Sequence, residues 1–196
     1  MDKTTVDTYS ASAGQYADEW LGQPAPDDLY ERLRRFFKPG GMTADIGCGA
    51  GRDTAWLQAN GYPAVGYDAS EGLLERARAA HAQCVFKAAA LPELRGIEDG
   101  AFDNVLCETV IMHLPPEQIA AACRRLAAIL KPGGMLYLSW RVTEGADLRD
   151  KAGRLYTAFD SALVLGNLPG TRIVFTEDTV NQSSGKRVCR VVAERL

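Results

Sequence analysis

Histidine is nearly absent from this chain: His81 and His113 are the only two in 196 residues, and their separation offers no metal cluster. Cysteine is present but unorganised. Cys48, Cys84, Cys107, Cys123 and Cys189 are odd in number, widely spaced and never arranged as C-x-x-C. That speaks against a disulfide frame or a zinc site and for reduced thiols acting as small hydrophobes. There is no basic excess either. The formal net charge of -3 argues against a nucleic-acid partner, because neutralising phosphates needs a basic face. No apolar stretch is long enough to span a bilayer, and Met1 to Ser10 lacks the apolar core of a signal peptide. A cytoplasmic protein without a membrane partner is therefore expected. Internal repeats, low-complexity tracts and domain linkers are missing too. What remains, 46% hydrophobic and 24% charged residues, suits one α/β domain with a short appendage and a substantial core.

The informative stretch is Thr43-Ala-Asp-Ile-Gly-Cys-Gly-Ala-Gly-Arg-Asp53. Its first part reads as a strand, its Gly cluster as a sharp turn that lets the backbone approach a ligand, and Ala50 to Asn60 as the helix that follows. Such a unit binds nucleotides. A pyrophosphate site of the dinucleotide type has G-x-G-x-x-G, whereas here Arg52 stands where the third Gly would be. Asp45 at the strand end is unhelpful for a pyrophosphate and suitable for a ligand bearing cationic groups.

The pattern acid-x-Gly-x-Gly-x-Gly resembles the first motif of the class I S-adenosylmethionine-dependent methyltransferases, and later motifs agree in order and spacing. Tyr62 to Tyr67 reads as a second strand ending at Asp68, about twenty residues past the first Gly, where a doubly wound sheet brings it beside the turn. An acid there can accept from both ribose hydroxyls; alternatively Asp68, with Ser70, caps the helix Glu71 to His81. Gln83 to Lys87 is a third strand, followed by Ala88-Ala-Ala-Leu-Pro92. The family often has an Asp here, near the adenine amino group; this chain keeps Leu91-Pro92 but has alanines where the acid would be. Phe102-Asp-x-Val105, with His-Leu eight residues past the Val, resembles the fourth-strand motif of small-molecule methyltransferases in that superfamily. Pro116 opens a helix over Glu117 to Leu130, with Ile119, Cys123, Leu126, Ala127 and Leu130 on one face. Lys131-Pro-Gly-Gly134 then turns into a fifth strand, Met135 to Trp140, another frequent family signature.

The two ends of the chain are less typical. Ser12 to Leu21 and Asp27 to Phe37 read as helices around the breaker Gln23-Pro-Ala-Pro26, and the rings of Tyr9, Tyr16 and Trp20 are either core cover or a lid over the ligand. Val142 to Asp160 is polar and reads as an irregular cover near the strand ends. Asp160 can cap a helix to Leu168, ended by Pro169-Gly170. Arg172 to Thr176 and Arg187 to Ala193 then form a strand pair joined by a hairpin connection at Asn181 to Gly185.

The resemblance implies a doubly wound, Rossmann-like α/β fold: a seven-stranded sheet, mostly parallel with an antiparallel last strand, and helices on both faces. It divides a single domain into a helical arm or lid (1–38), a cofactor-binding core (39–140) and a cover with the terminal strand pair (141–196). It also implies S-adenosyl-L-methionine as cofactor, S-adenosyl-L-homocysteine as product and a small-molecule methyl acceptor as partner. Gly47, Cys48, Gly49 and Gly51 would form the turn, Asp45 would orient it or meet the ammonium, and Arg52 would reach the methionine carboxylate or simply pair with Asp53. Asp68 and Ala69 would take the ribose, Ala89, Ala90 and Leu91 the adenine, and Cys107 and Glu108 would close the wall after strand four. Tyr9, Tyr16, Trp20, Trp140 and Arg141 are the candidate acceptor contacts. The sulfonium is already a good leaving group, so no nucleophilic side chain is expected. His113 and Glu108 are the candidate bases, with a structural His113 as the competing reading. A nicotinamide-dependent oxidoreductase and a non-catalytic S-adenosylmethionine-binding module are the rival functions. The acceptor's identity and the oligomeric state stay open.

Overall fold

Short apolar runs become the parallel strands β1 (Thr43–Ile46), β2 (Ala64–Asp68), β3 (Val85–Ala88) and β4 (Phe102–Cys107) in a computed structural model that describes residues 1–180 and 185–196. The longer β5 (Leu130–Arg141) lies parallel to β4, while β8 (Thr171–Val180) and β9 (Arg187–Arg195) complete a seven-stranded sheet. The spatial order is β3-β2-β1-β4-β5-β9-β8, and β9 runs antiparallel to both neighbours. Of the expected hairpin connection, residues 181–184 lie outside the described residues.

Alternation along the strands decides which helices cover which face. Val105, Cys107, Leu136, Leu138 and Trp140 enter one core with Ile119, Cys123 and Leu126 of α6 (Pro116–Ala128) and Val164 of α7 (Ser161–Leu165). The intervening Leu106, Tyr137 and Val192 enter the opposite core with Leu29 and Leu33 of α3 (Asp27–Phe36) and Leu57 of α4 (Arg52–Ala59). Helix α5 (Glu71–Ala80) packs Leu74 and Ala77 against Phe86 of β3, and its N-cap is Ser70 rather than Asp68. No helix among the described residues is long and apolar enough to cross a membrane.

Three local differences from the sequence expectation have physical causes. Lys3–Ala11 forms a helix, α1, before α2 (Ala13–Leu21); it lacks an apolar stripe, and is held instead by the Asp2 N-cap and the buried, hydroxyl-bearing Thr5. Lys131-Pro-Gly-Gly134 is a bulged part of β5 rather than a turn before it, the register against β4 shifting between Phe102 and Asn104. The cover contains a two-stranded ribbon, β6 (Leu148–Arg149) with β7 (Leu155–Tyr156), and α7 stops at Leu165, short of the expected Leu168.

Candidate active site

Parallel winding places the loops after β1, β2, β3, β4 and β5 at one edge of the sheet, and a cavity of ≈ 460 Å³ opens there. The Gly turn is its floor. Gly47 has φ +78°, and a Cβ on it would stand 2.2 Å from Val110 Cγ2, so the position excludes any side chain. A Cβ on Gly49, at φ +55°, would stand 2.9 Å from Trp20 Cζ3, so the α2 indole lies against the turn. The Asp68 carboxylate accepts from the Gly49 N–H at 2.9 Å and from the Ser70 N–H at 2.8 Å, joining the turn after β1 to that after β2. Its burial raises the Asp68 pKa.

Asp45 is placed differently from an ammonium ligand. Strand parity turns it to the α4 face, where Thr54 donates to it at 2.6 Å, and it is absent from the cavity wall. Burial raises its pKa to about 7. Arg52 lines the cavity, yet its guanidinium already pairs with Asp53 at 2.9 and 3.0 Å, and Asp53 also accepts from Tyr30 at 2.9 Å. After β4, Glu108 reaches the cavity with Ser139 donating to it, while Ser139 Oγ accepts from the Thr109 N–H at 3.0 Å. Burial raises Glu108 to about 7, against the lowering effect of Ser139. Thr109 holds φ +55°, a conformation costing ~1–3 kcal/mol for a residue with a Cβ, beside this acid.

The roof comes from the arm and the cover. Tyr9 of α1 and Trp20 of α2 line the cavity, with Tyr9 to Tyr16 ring centres 5.0 Å apart and Tyr16 stacked on Trp20 at 5.4 Å. Thr5 Oγ1 accepts from the Leu155 N–H at 2.9 Å, Thr8 donates to the Ala152 carbonyl at 3.0 Å, and Asp2 pairs with Arg149 at 2.8 Å. Arg154 and Tyr156 of the cover line the cavity as well. His113 is 5% exposed, and burial lowers its pKa to about 4. Its Nδ1–H donates to the Leu155 carbonyl and its Nε2 accepts from Tyr9. A neutral imidazole with both nitrogens engaged is a weak base, so the base role expected for His113 gives way to that of a link between arm and cover.

The wall thus gathers Gly47, Cys48, Gly49, Arg52, Asp68, Ala69, Ala89, Leu91 and Glu108, with Tyr9, Trp20, Arg141 and His113. Gly51, Ala90, Cys107, Tyr16 and Trp140 stand behind it or away from it. Cys107 and Trp140 face the α6 core by strand parity, Trp140 lying 5.7 Å from Phe159, so the acceptor contact expected of Trp140 is corrected to core packing. Tyr16 is buried behind Tyr9. Sequence reasoning missed Ser139, Arg154 and Tyr156. The first reads as an interior strand residue, and the other two sit in a cover without a motif.

Residues 44–134 match the family described as a methyltransferase domain. The ubiquinone biosynthesis O-methyltransferase of Methylococcus capsulatus is 36% identical over 105 residues, covering 51% of this chain and 43% of that protein. This chain spans 43% to 60% of the length of the curated relatives it matches. In fold it is similar to Burkholderia thailandensis 1,6-didemethyltoxoflavin-N1-methyltransferase, solved with 1,6-didemethyltoxoflavin and S-adenosylhomocysteine, at TM-score 0.77 and 21% identity over 98% of this chain and 87% of that one. Magnesium protoporphyrin IX methyltransferase from Synechocystis, solved with S-adenosylhomocysteine, gives TM-score 0.74 and 22% identity over 100% of both chains. The Gly turn, the Asp68 link and the 3-2-1-4-5-9-8 strand order thus accompany a methyltransferase-domain match over residues 44–134 and a fold shared with solved S-adenosylmethionine-dependent methyltransferases.

Proposed function

We propose that this protein transfers a methyl group from S-adenosylmethionine to a small-molecule acceptor. The observation that carries the reading is the Gly47–Gly49 turn, both glycines at positive φ in the cavity wall, joined to the buried Asp68 carboxylate through the Gly49 N–H. Each Asp68 oxygen accepts one backbone N–H and keeps a lone pair for a ribose hydroxyl. Ala89 and Leu91 offer apolar contact to an adenine, and the backbone at Gly47 and Gly49 approaches the ligand closely. The acids Asp68 and Glu108 suit a ligand with an ammonium and a sulfonium.

When bound, S-adenosylmethionine supplies an electrophilic methyl open to in-line displacement by an O, N, S or C nucleophile. The residues of this chain contribute position and dryness. Tyr9 and Trp20 roof the cavity, and the Thr5, Thr8 and Asp2 contacts hold that roof on the cover. Glu108, with its pKa near neutrality, is the side chain best matched to accept an acceptor proton. In this reading residues 1–38 act as lid, 39–140 as cofactor core and 141–196 as cover and terminal strands. Five cysteines without a disulfide suit a reducing compartment, and we place the protein in the cytoplasm. Calorimetric titration tests the assignment: S-adenosylmethionine and S-adenosylhomocysteine should bind and NAD(P) should not, and the reverse preference would overturn it.

A further inference from the structure

Three arginines line the cavity, and two are neutralised where they stand. Arg52 pairs with Asp53, and Arg154 lies 2.7 Å from an Asp150 oxygen. Arg141 differs. Its guanidinium sits 4.8 Å from the centre of the Tyr156 ring, and among the described residues no carboxylate pairs with it. Arg154 lies 5.8 Å from the centre of the same ring, and the one carboxylate beside them, Asp150, is engaged by Arg154 alone. His113, 4.8 Å from Tyr156 between ring centres, is neutral and adds no charge. A guanidinium without a counter-ion in a cavity wall is a ready partner for an anion, whose charge it would neutralise.

The site is therefore graded in charge. Asp68 and Glu108 stand at the β2 and β4 loops, whereas Arg141 stands at the end of β5, Arg154 in the cover and Lys186 just before β9. The basic end is also the flat one, walled by Tyr9 and Tyr156. The Tyr156 ring 4.8 Å away gives the Arg141 guanidinium a flat aromatic neighbour, and a planar guanidinium can meet a carboxylate with two parallel hydrogen bonds.

Resting on the methyl-transfer reading above, we propose that the acceptor is a planar aromatic acid, its carboxylate bound by Arg141 and its ring set against Tyr9 and Tyr156. A neutral analogue leaves the guanidinium without its counter-ion, and a cationic one adds a positive charge beside it. Both are rejected for that reason.

The test uses the full chain saturated with S-adenosylhomocysteine and titrated with benzoate, benzamide and benzylammonium, followed by ligand-observed NMR. Benzoate should bind at least about tenfold tighter than the other two, the worth of a hydrogen bond to a charged group. Arg141→Met, which keeps a long apolar stem on Tyr156, should abolish that preference, and Arg141→Lys should restore part of it. Unchanged S-adenosylhomocysteine affinity shows that each variant is folded, and Arg141→Gln serves if the Met variant is not. Equal binding of the three probes, a preference for the cation, binding of none, or a benzoate preference that survives loss of Arg141 would overturn the inference. Failure of the parent protein to bind S-adenosylhomocysteine would instead strike the methyl-transfer reading.

Discussion

The Tyr9 hydroxyl donates to Nε2 of His113 at 3.1 Å while Nδ1 of the same imidazole donates to the Leu155 carbonyl, so one ring ties the N-terminal helix to the cover across the cavity mouth. Tyr9→Phe leaves Nε2 buried without a donor, at a cost of ~1–3 kcal/mol. Amide hydrogen exchange in residues 3–21 should quicken while the strands of the sheet keep their protection. Uniform loss of protection across the chain would show that the link supports the whole fold rather than the roof.

Stability should carry two opposed pH dependences. His113 titrates at about 4 when folded against 6.5 when free, so its contribution is complete above pH 6.5 and is lost as the pH falls through about 4. Glu108 titrates at about 7 against 4.5, so its contribution is complete below pH 4.5 and is lost as the pH rises through about 7. In urea titrations His113→Asn should flatten the acid limb and Glu108→Gln the neutral limb, each by up to ~1.4 kcal/mol per pH unit. Parent and variant curves of the same shape would remove the group concerned from the account.

Asp68→Ala should weaken S-adenosylhomocysteine binding about ten- to a hundredfold, by loss of hydrogen bonds to a charged acceptor and loosening of the Gly49 amide. Calorimetry reads this directly. An unchanged Kd would take Asp68 off the ribose.

Gly47→Ala combines two penalties, a left-handed backbone and a methyl 2.2 Å from Val110. The variant should lose ~1–3 kcal/mol from backbone strain alone, and more from the clash. Adding Val110→Ala should recover the steric part and leave the strain. If the double variant is no more stable than Gly47→Ala, the contact is not the cause.

Legibility followed the range of the interactions. The Gly turn, Asp68 and the order of β1 to β5 were readable because each depends on a short motif, and those motifs span the stretch that matches the methyltransferase domain. Helix α1 was not, since its fixing contacts run from Thr5 to Leu155 and from Asp2 to Arg149, between segments with no shared pattern. Trp140 and Arg141 illustrate the limit at a single residue. Both end the same strand, and only the parity of β5 against its two cores sends the first inward and the second to the cavity. His113 sits where a base was expected, but its burial and the Leu155 carbonyl, neither visible in a motif, changed its chemistry.

The position of β9 has a consequence for synthesis. β8 meets the sheet only through β9, which pairs with β5 on one side and β8 on the other. During translation β8 leaves the ribosome before the strand that joins it to the sheet, so the sheet ends at β5 until Arg187–Arg195 arrives and links β8 to it. The cavity wall next to β5, Arg141 included, is finished in that same late step, so nascent chains hold the Gly turn before they hold the basic end of the site.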